Sequence, residues 1–148
     1  MKTLITDVAG FIGMHSAVRL LDGDGEVIGV NNPNEYCDVN LKRDRLSILQ
    51  KYQNVPIHQA DINDNNRVDN LSFAIQPRRV INLAAEVGVR NSVTNPYAYV
   101  ETNIKGFMNV LEGCWKLAVG HSYMLIHLQF TEHINYCHSR NIIMSATH

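Results

Sequence analysis

The sequence predicts an α/β fold, a doubly wound parallel sheet with helices on both faces. Three observations carry that prediction. Short β-prone runs alternate along the chain with apolar residues at helical spacing, the mark of repeated βαβ units. The run at residues 27–30 (Val-Ile-Gly-Val) reads as a strand covered on both faces. A tight glycine turn joins the first run to the first helix.

Residues 3–6 form the first β-prone run, and Met14, Ala17, Val18 and Leu21 then recur at helical spacing. Gly23 and Gly25 supply a helix stop. Residues 27–30 read as the second strand, and 31–38, with Pro33, as a loop. Leu41, Ile48 and Leu49 mark a second helix, and residues 55–60 a third strand ending at Asp61. Val68, Leu71 and Ile75 mark a third helix, stopped by Pro77. Residues 80–85 are the best-defined later strand. Asn95 followed by Pro96 reads as an N-cap with proline at the first helical position. The helix they open reaches about Leu117, and residues 123–128 form a fifth strand. Beyond His127 the pattern loosens, with residues 142–144 the only apolar run. Residues 1–128 are therefore expected to form one domain, with 129–148 a divergent tail and no separate substrate domain.

Bulk properties narrow the function classes. The chain has 148 residues, 45% of them hydrophobic and 18% charged, which suits one ordinary globular domain. A formal net charge of −1 gives no general attraction to nucleic acid or an anionic membrane. No apolar run has membrane-spanning length, and the N-terminus makes a poor signal peptide. The three cysteines, Cys37, Cys114 and Cys137, are widely spaced and read as reduced thiols, so a cytoplasmic location is expected.

The glycine turn carries the chemistry. A strand, a glycine turn and a helix let backbone approach a pyrophosphate closely, and the helix N-terminus presents unpaired N–H groups and a partial positive charge. Gly10 and Gly13 sit where those demands are strictest, and the polar Asn31 stands at the end of the next strand. A Rossmann-type nucleotide-binding domain follows.

Residues 6–13 (Thr-Asp-Val-Ala-Gly-Phe-Ile-Gly) resemble the Thr-Gly-x-x-Gly-Phe-Ile-Gly fingerprint of extended short-chain dehydrogenases/reductases. Residues 31–46, Ala60-Asp61-Ile62, Asn82-Leu83-Ala84-Ala85, Gly88-Val89-Arg90, residues 95–100, Thr102-Asn103 and residues 109–114 are similar, in order and spacing, to segments of UDP-glucuronate 4-epimerases within that family. The likeness covers about residues 1–121. It implies a nucleotide-sugar epimerase that transiently oxidises C4 of its substrate with NAD. It also implies that Gly10, Phe11, Ile12 and Gly13 line the cofactor pyrophosphate. Asn31 stands where the family has a ribose-gripping aspartate. Asp61 and Ile62 flank the adenine, and Leu83, Ala84 and Ala85 pass beneath the nicotinamide side. Asn103 helps position the cofactor, and Arg90 meets an anionic part of the sugar nucleotide. The resemblance also implies a homodimer through the 96–117 helix.

The chain departs from the pattern at three places. Asp7 replaces the first glycine and sets a carboxylate near the pyrophosphate. Two like charges about 5 Å apart interact at roughly 3 kcal/mol for an effective dielectric near 20. Asn31 hydrogen-bonds a ribose hydroxyl without charge assistance and does not repel a 2′-phosphate, so NAD is preferred and NADP is not excluded. The family's Tyr-x-x-x-Lys pair is missing, with Tyr136-x-x-x-Arg140 the nearest echo, and no serine-rich run follows the fifth strand. Two readings stand at this point: the cofactor half of an epimerase, or a catalytically silent dinucleotide-binding domain. The histidines, including His121, His127, His133 and His138 beside Cys137, lack the paired spacing of a metal site. No metal is expected, and no Gly-x-Ser-x-Gly elbow suggests a hydrolase.

Overall fold

A computed structural model describes residues 1–32, 38–52, 55–86, 93–127 and 141–147. Its strands are β1 (Lys2–Thr6), β2 (Glu26–Asn31), β3 (Ile57–Gln59), β4 (Arg79–Asn82), β5 (His121–His127) and β6 (Asn141–Thr147). Its helices are α1 (Phe11–Leu21), α2 (Val39–Leu49), α3 (Asn65–Ile75), α4 (Pro96–Val100) and α5 (Phe107–Lys116), with a π-helical segment at Glu101–Gly106 joining the last two. The strands form one sheet in the order β3-β2-β1-β4-β5-β6. The first five pair in parallel.

Strand alternation divides the core between the two faces. Leu4, Ile28, Val30 and Val80 point to one side, where they pack with Val68 and Ile75 of α3 and Val110 and Cys114 of α5. Ile5 and Val27 point to the other, against Met14 and Ala17 of α1 and Leu49 of α2. Both faces are therefore covered by helices, which is why the strand sequences carry no polar alternation.

Side chains set several helix ends. Asp38 caps α2 by accepting from the Asn40 amide at 2.9 Å. Asp64 caps α3 through the Arg67 amide at 3.0 Å, and Asn95 caps α4 through the Ala98 amide at 3.3 Å. At the end of α3, Gln76 takes the left-handed conformation one residue before Pro77. After α1 the Gly25 amide bonds back to the Leu20 carbonyl at 2.9 Å, and Asp24 rather than a glycine takes the positive φ.

Three expectations are corrected and one strand is added. The strand expected over 80–85 ends at Asn82, because the Leu83 and Ala84 amides turn to the Thr6 hydroxyl instead of a neighbouring strand. The third strand is only Ile57–Gln59, a short edge beyond β2. The parallel sheet expected through the fifth strand is found, and β6 adds to its edge, antiparallel to β5 from His121↔Thr147 to His127↔Asn141. The helix expected from 96 to about 117, weakened locally at Gly106 and Gly113, contains a π-helical turn that ends at Gly106. Among the described residues no helix is long and apolar enough to cross a membrane.

Candidate functional site

The chain order β3 to β4 crosses from one side of β1 to the other, so the carboxyl ends of β1 and β4 flank the point where the winding reverses. Open α/β sheets bind ligands in that crevice. Thr6, Asp7 and Asn82 meet there.

The Thr6 hydroxyl organises it. It donates to the Asn82 side-chain oxygen at 2.6 Å. It accepts from the Leu83 and Ala84 amides at 3.0 Å each. A hydroxyl has one donor and two acceptor lone pairs, so Thr6 is fully used. It pins the segment leaving β4 against the end of β1, with Leu83 and Ala84 half-buried and Ala85 exposed.

The glycine loop follows Thr6. The Gly10 amide closes the turn on the Asp7 carbonyl at 2.9 Å. A side chain at Gly13 would drive its Cβ into that same carbonyl oxygen, so only glycine lets α1 lie this close to the strand end. Gly10 is the N-cap of α1 with no side-chain cap and no acidic residue in the first turn. Phe11 and Ile12 are 65% and 52% exposed, high values for apolar residues opening a helix against a parallel sheet.

Asp7 departs from the expected glycine in two physical ways. Its φ of 52° lies in the left-handed region that glycine occupies without strain. Its Oδ2 occupies the space where a Gly10 Cβ would project, so the carboxylate lies over the loop. Burial pushes its pKa above the ordinary carboxylate value, while Lys42 and Arg45 of α2 pull it back. Arg45 reaches the loop itself. Its Nη1 donates to the Ala9 carbonyl at 3.3 Å, and its guanidinium lies 5.8 Å from the Phe11 ring centre.

Asn31, at the end of β2, is 5% exposed. Its Nδ2 donates to the Asn32 carbonyl at 3.3 Å, while its buried Oδ1 has no partner. An orphan acceptor beside a glycine loop suits a ribose hydroxyl, because leaving it unpaired costs about 1–3 kcal/mol.

The π-helical turn holds two loops at once. Thr102 Oγ1 accepts from Asn63 Nδ2 at 3.3 Å, in the loop after β3. Asn103 clamps Glu86, accepting from its amide at 2.8 Å and donating to its carbonyl at 2.9 Å. Asn109 of α5 donates to the Ile62 carbonyl at 2.8 Å. Single π turns recur at functional sites because they re-aim neighbouring side chains; here Thr102 and Asn103 serve different loops. Asp61 accepts from the Asn63 amide at 2.9 Å and so caps its own turn, and Ile62 is buried in the core.

The family model for GDP-mannose 4,6 dehydratase matches residues 4–128. The chain belongs to this family. Protein CapI of Staphylococcus aureus is 44% identical over 112 residues, 76% of this chain and 33% of that protein. A probable UDP-glucuronate 4-epimerase of Rhizobium meliloti (strain 1021) is 40% identical over 121 residues, 82% of this chain and 36% of that protein. The chain thus spans about a third of the length of these relatives. Among solved structures, UDP-glucuronic acid 4-epimerase from Bacillus cereus, in complex with UDP-glucuronic acid and NAD, is 31% identical. It superposes with a TM-score of 0.67 over 77% of this chain and 36% of that one. The family membership accords with the fold and with the fingerprint over residues 6–13.

Of the site residues expected from sequence, Gly10, Phe11, Ile12 and Gly13 gather at the mouth of α1, and Asn31 stands at the next strand end. Leu83 and Ala84 are held at the far side of the crevice by Thr6, and Ala85 follows them, exposed. Asn103 reaches the crevice only by way of the Glu86 backbone. Arg90, Tyr136 and Arg140 lie outside the described residues. Sequence reasoning missed the Thr6 hub and the basic residues Lys42 and Arg45. The only signal for the pair was two cations three residues apart on a helix opened by Asp38.

Proposed function

We propose that this chain is the NAD-binding half of a nucleotide-sugar 4-epimerase of the UDP-glucuronate type. One observation carries the reading: the uncapped N-terminus of α1 opens at the reversal point of the sheet, beside a buried Asn31 oxygen that lacks a partner. Amide groups of Phe11, Ile12 and Gly13 suit a diphosphate, and the Asn31 acceptor suits a ribose hydroxyl. The family relatives named for UDP-glucuronate epimerisation support the substrate class.

Bound there, NAD would supply a transient hydride sink for the sugar C4. The chain's own residues do the holding. The α1 amides and Gly13 admit the diphosphate, and Asn31 accepts from the adenosine ribose. Asp61 and Ile62 border the adenine, and Leu83–Ala85, fixed by Thr6, form the floor beneath the nicotinamide. Asn103 positions that floor through Glu86. Arg90, outside the described residues, would supply a cation for the anionic sugar nucleotide. NAD is preferred over NADP because Asn31 offers an acceptor where a 2′-phosphate would bring more acceptors.

A second reading is a catalytically silent dinucleotide-binding domain. Incubation with UDP-glucuronate and NAD separates the two: UDP-galacturonate as product eliminates the silent reading. The shared premise is tested by NAD titration calorimetry, and a protein that binds neither NAD nor NADP overturns both readings.

Tyr97, Val100, Ile104, Met108, Leu111 and Trp115 are all exposed and recur every three or four residues along α4, the π turn and α5. This continuous apolar stripe supports a homodimer through that helix. Met108→Glu should shift the molecular mass measured by light scattering from dimer to monomer. The buried free thiol of Cys114 is in keeping with a reducing, cytoplasmic setting.

A further inference from the structure

We propose that Arg45 is the counter-charge that lets this chain carry Asp7 in its glycine loop, and that the same guanidinium turns to the cofactor diphosphate on binding. The inference rests on the dinucleotide reading above. Three placements support it. The Asp7 carboxylate overlies Gly10, on the surface a diphosphate must approach. Arg45 is anchored to that loop from a different element, through the Ala9 carbonyl and against the Phe11 ring. The buried, unpartnered Oδ1 of Asn31 marks the crevice beside them as built for a further polar group.

The electrostatics follow from charge counting. An uncompensated carboxylate beside a diphosphate opposes binding by several-fold to many-fold. Lys42 and Arg45, both from α2, are the cations whose charge acts on Asp7. Lys42 lies at the Asn32 carbonyl, 3.4 Å away, toward the ribose side of the crevice. Arg45 is the one that contacts the glycine loop. One of its N–H groups is on Ala9, and the planar fork carries further donors suited to paired phosphate oxygens. A carboxylate and a guanidinium together leave the mouth of α1 near neutral, so the helix N-terminus still attracts an anion.

The test is a cycle of four proteins, wild type, Asp7→Gly, Arg45→Met and the double variant, each titrated with NAD and with adenosine. Arg45→Met is expected to weaken NAD about tenfold or more with Asp7 present, and distinctly less in the Asp7→Gly background. Adenosine, which has no phosphate, should bind all four alike. Arg45→Lys should recover part of the loss, since it restores the charge without the fork. Thermal melting of each variant confirms folding. Equal losses in the two backgrounds, or a parallel loss of adenosine, overturn the inference while leaving NAD binding intact. Failure of all four proteins, Asp7→Gly included, to bind NAD removes the dinucleotide reading and the inference with it.

Discussion

The Thr6 hydroxyl and the Asn82 side chain meet at 2.6 Å across the ends of β1 and β4, and the same hydroxyl takes the Leu83 and Ala84 amides where β4 stops. Thr6→Val keeps the shape and removes the hydroxyl. It leaves a buried Asn82 oxygen and two amides, of Leu83 and Ala84, without their partner. The expected loss is about 3 kcal/mol of unfolding free energy. Thr6→Ser should lose less than half of that. Urea denaturation checks both, and a Thr6→Val protein as stable as wild type would show that the hub contributes nothing.

Asp7→Gly should raise stability and cofactor affinity together. A non-glycine residue in the left-handed region costs about 1 kcal/mol, somewhat less for aspartate. The added backbone freedom of glycine in the unfolded chain offsets part of the gain. Removing the carboxylate from the loop should tighten NAD, by up to about tenfold, less what the nearby cations already offset. Calorimetry reads the second effect, and unchanged affinity would mean that the carboxylate exerts no net repulsion on the diphosphate.

Asp7 also predicts a pH dependence. Burial raises its pKa against the pull of Lys42 and Arg45. The folded state therefore holds this proton more tightly than the unfolded state does. Its contribution to stability is complete below the ordinary aspartate value and is lost as pH rises through the raised one. Protonation also removes the repulsion toward diphosphate, so NAD should bind more tightly as pH falls into that window. Asp7→Asn should bind NAD with a flatter pH profile. A wild-type profile that matches Asp7→Asn throughout the mildly acidic range would exclude Asp7 as the titrating group.

Two helix glycines should respond oppositely to alanine. At Gly113 a Cβ would meet only Ser72 Oγ at 3.4 Å and softer neighbours beyond it, beside a small apolar cavity between α3 and α5. Gly113→Ala should stabilise by about 1 kcal/mol. At Gly106 a Cβ would come within 2.7 Å of Ile62 Cδ1 and 2.9 Å of Asn63 Oδ1. Gly106→Ala should destabilise by about 1–3 kcal/mol through overpacking. Melting temperatures that move in the same direction would contradict this packing.

Cys114 should be unreactive in the native protein. It is buried, and burial pushes its thiol up to about 11. In mildly alkaline buffer it stays protonated and should resist iodoacetamide in the folded protein, reacting only after denaturation. Peptide mapping that finds Cys114 alkylated in the native protein would show that α5 opens readily.

Much of the fold was legible in the amino-acid order because it depends on local periodicity. Apolar runs at 3–6 and 27–30 named buried strands, the spacing of Val68, Leu71 and Ile75 named a helix, and Gly10 with Gly13 named the turn between β1 and α1. These signals lie within a few residues and survive without knowledge of neighbours. The sequence by itself also exposed Asp7 and Asn31 as departures from the family pattern. Only tertiary structure decided what those departures touch. The stop of β4 at Asn82, the use of Asn103 on the Glu86 backbone, the π turn and the approach of Arg45 to Ala9 all depend on strand register and helix placement. Such contacts join residues far apart in the chain, and their energies belong to the pair in space.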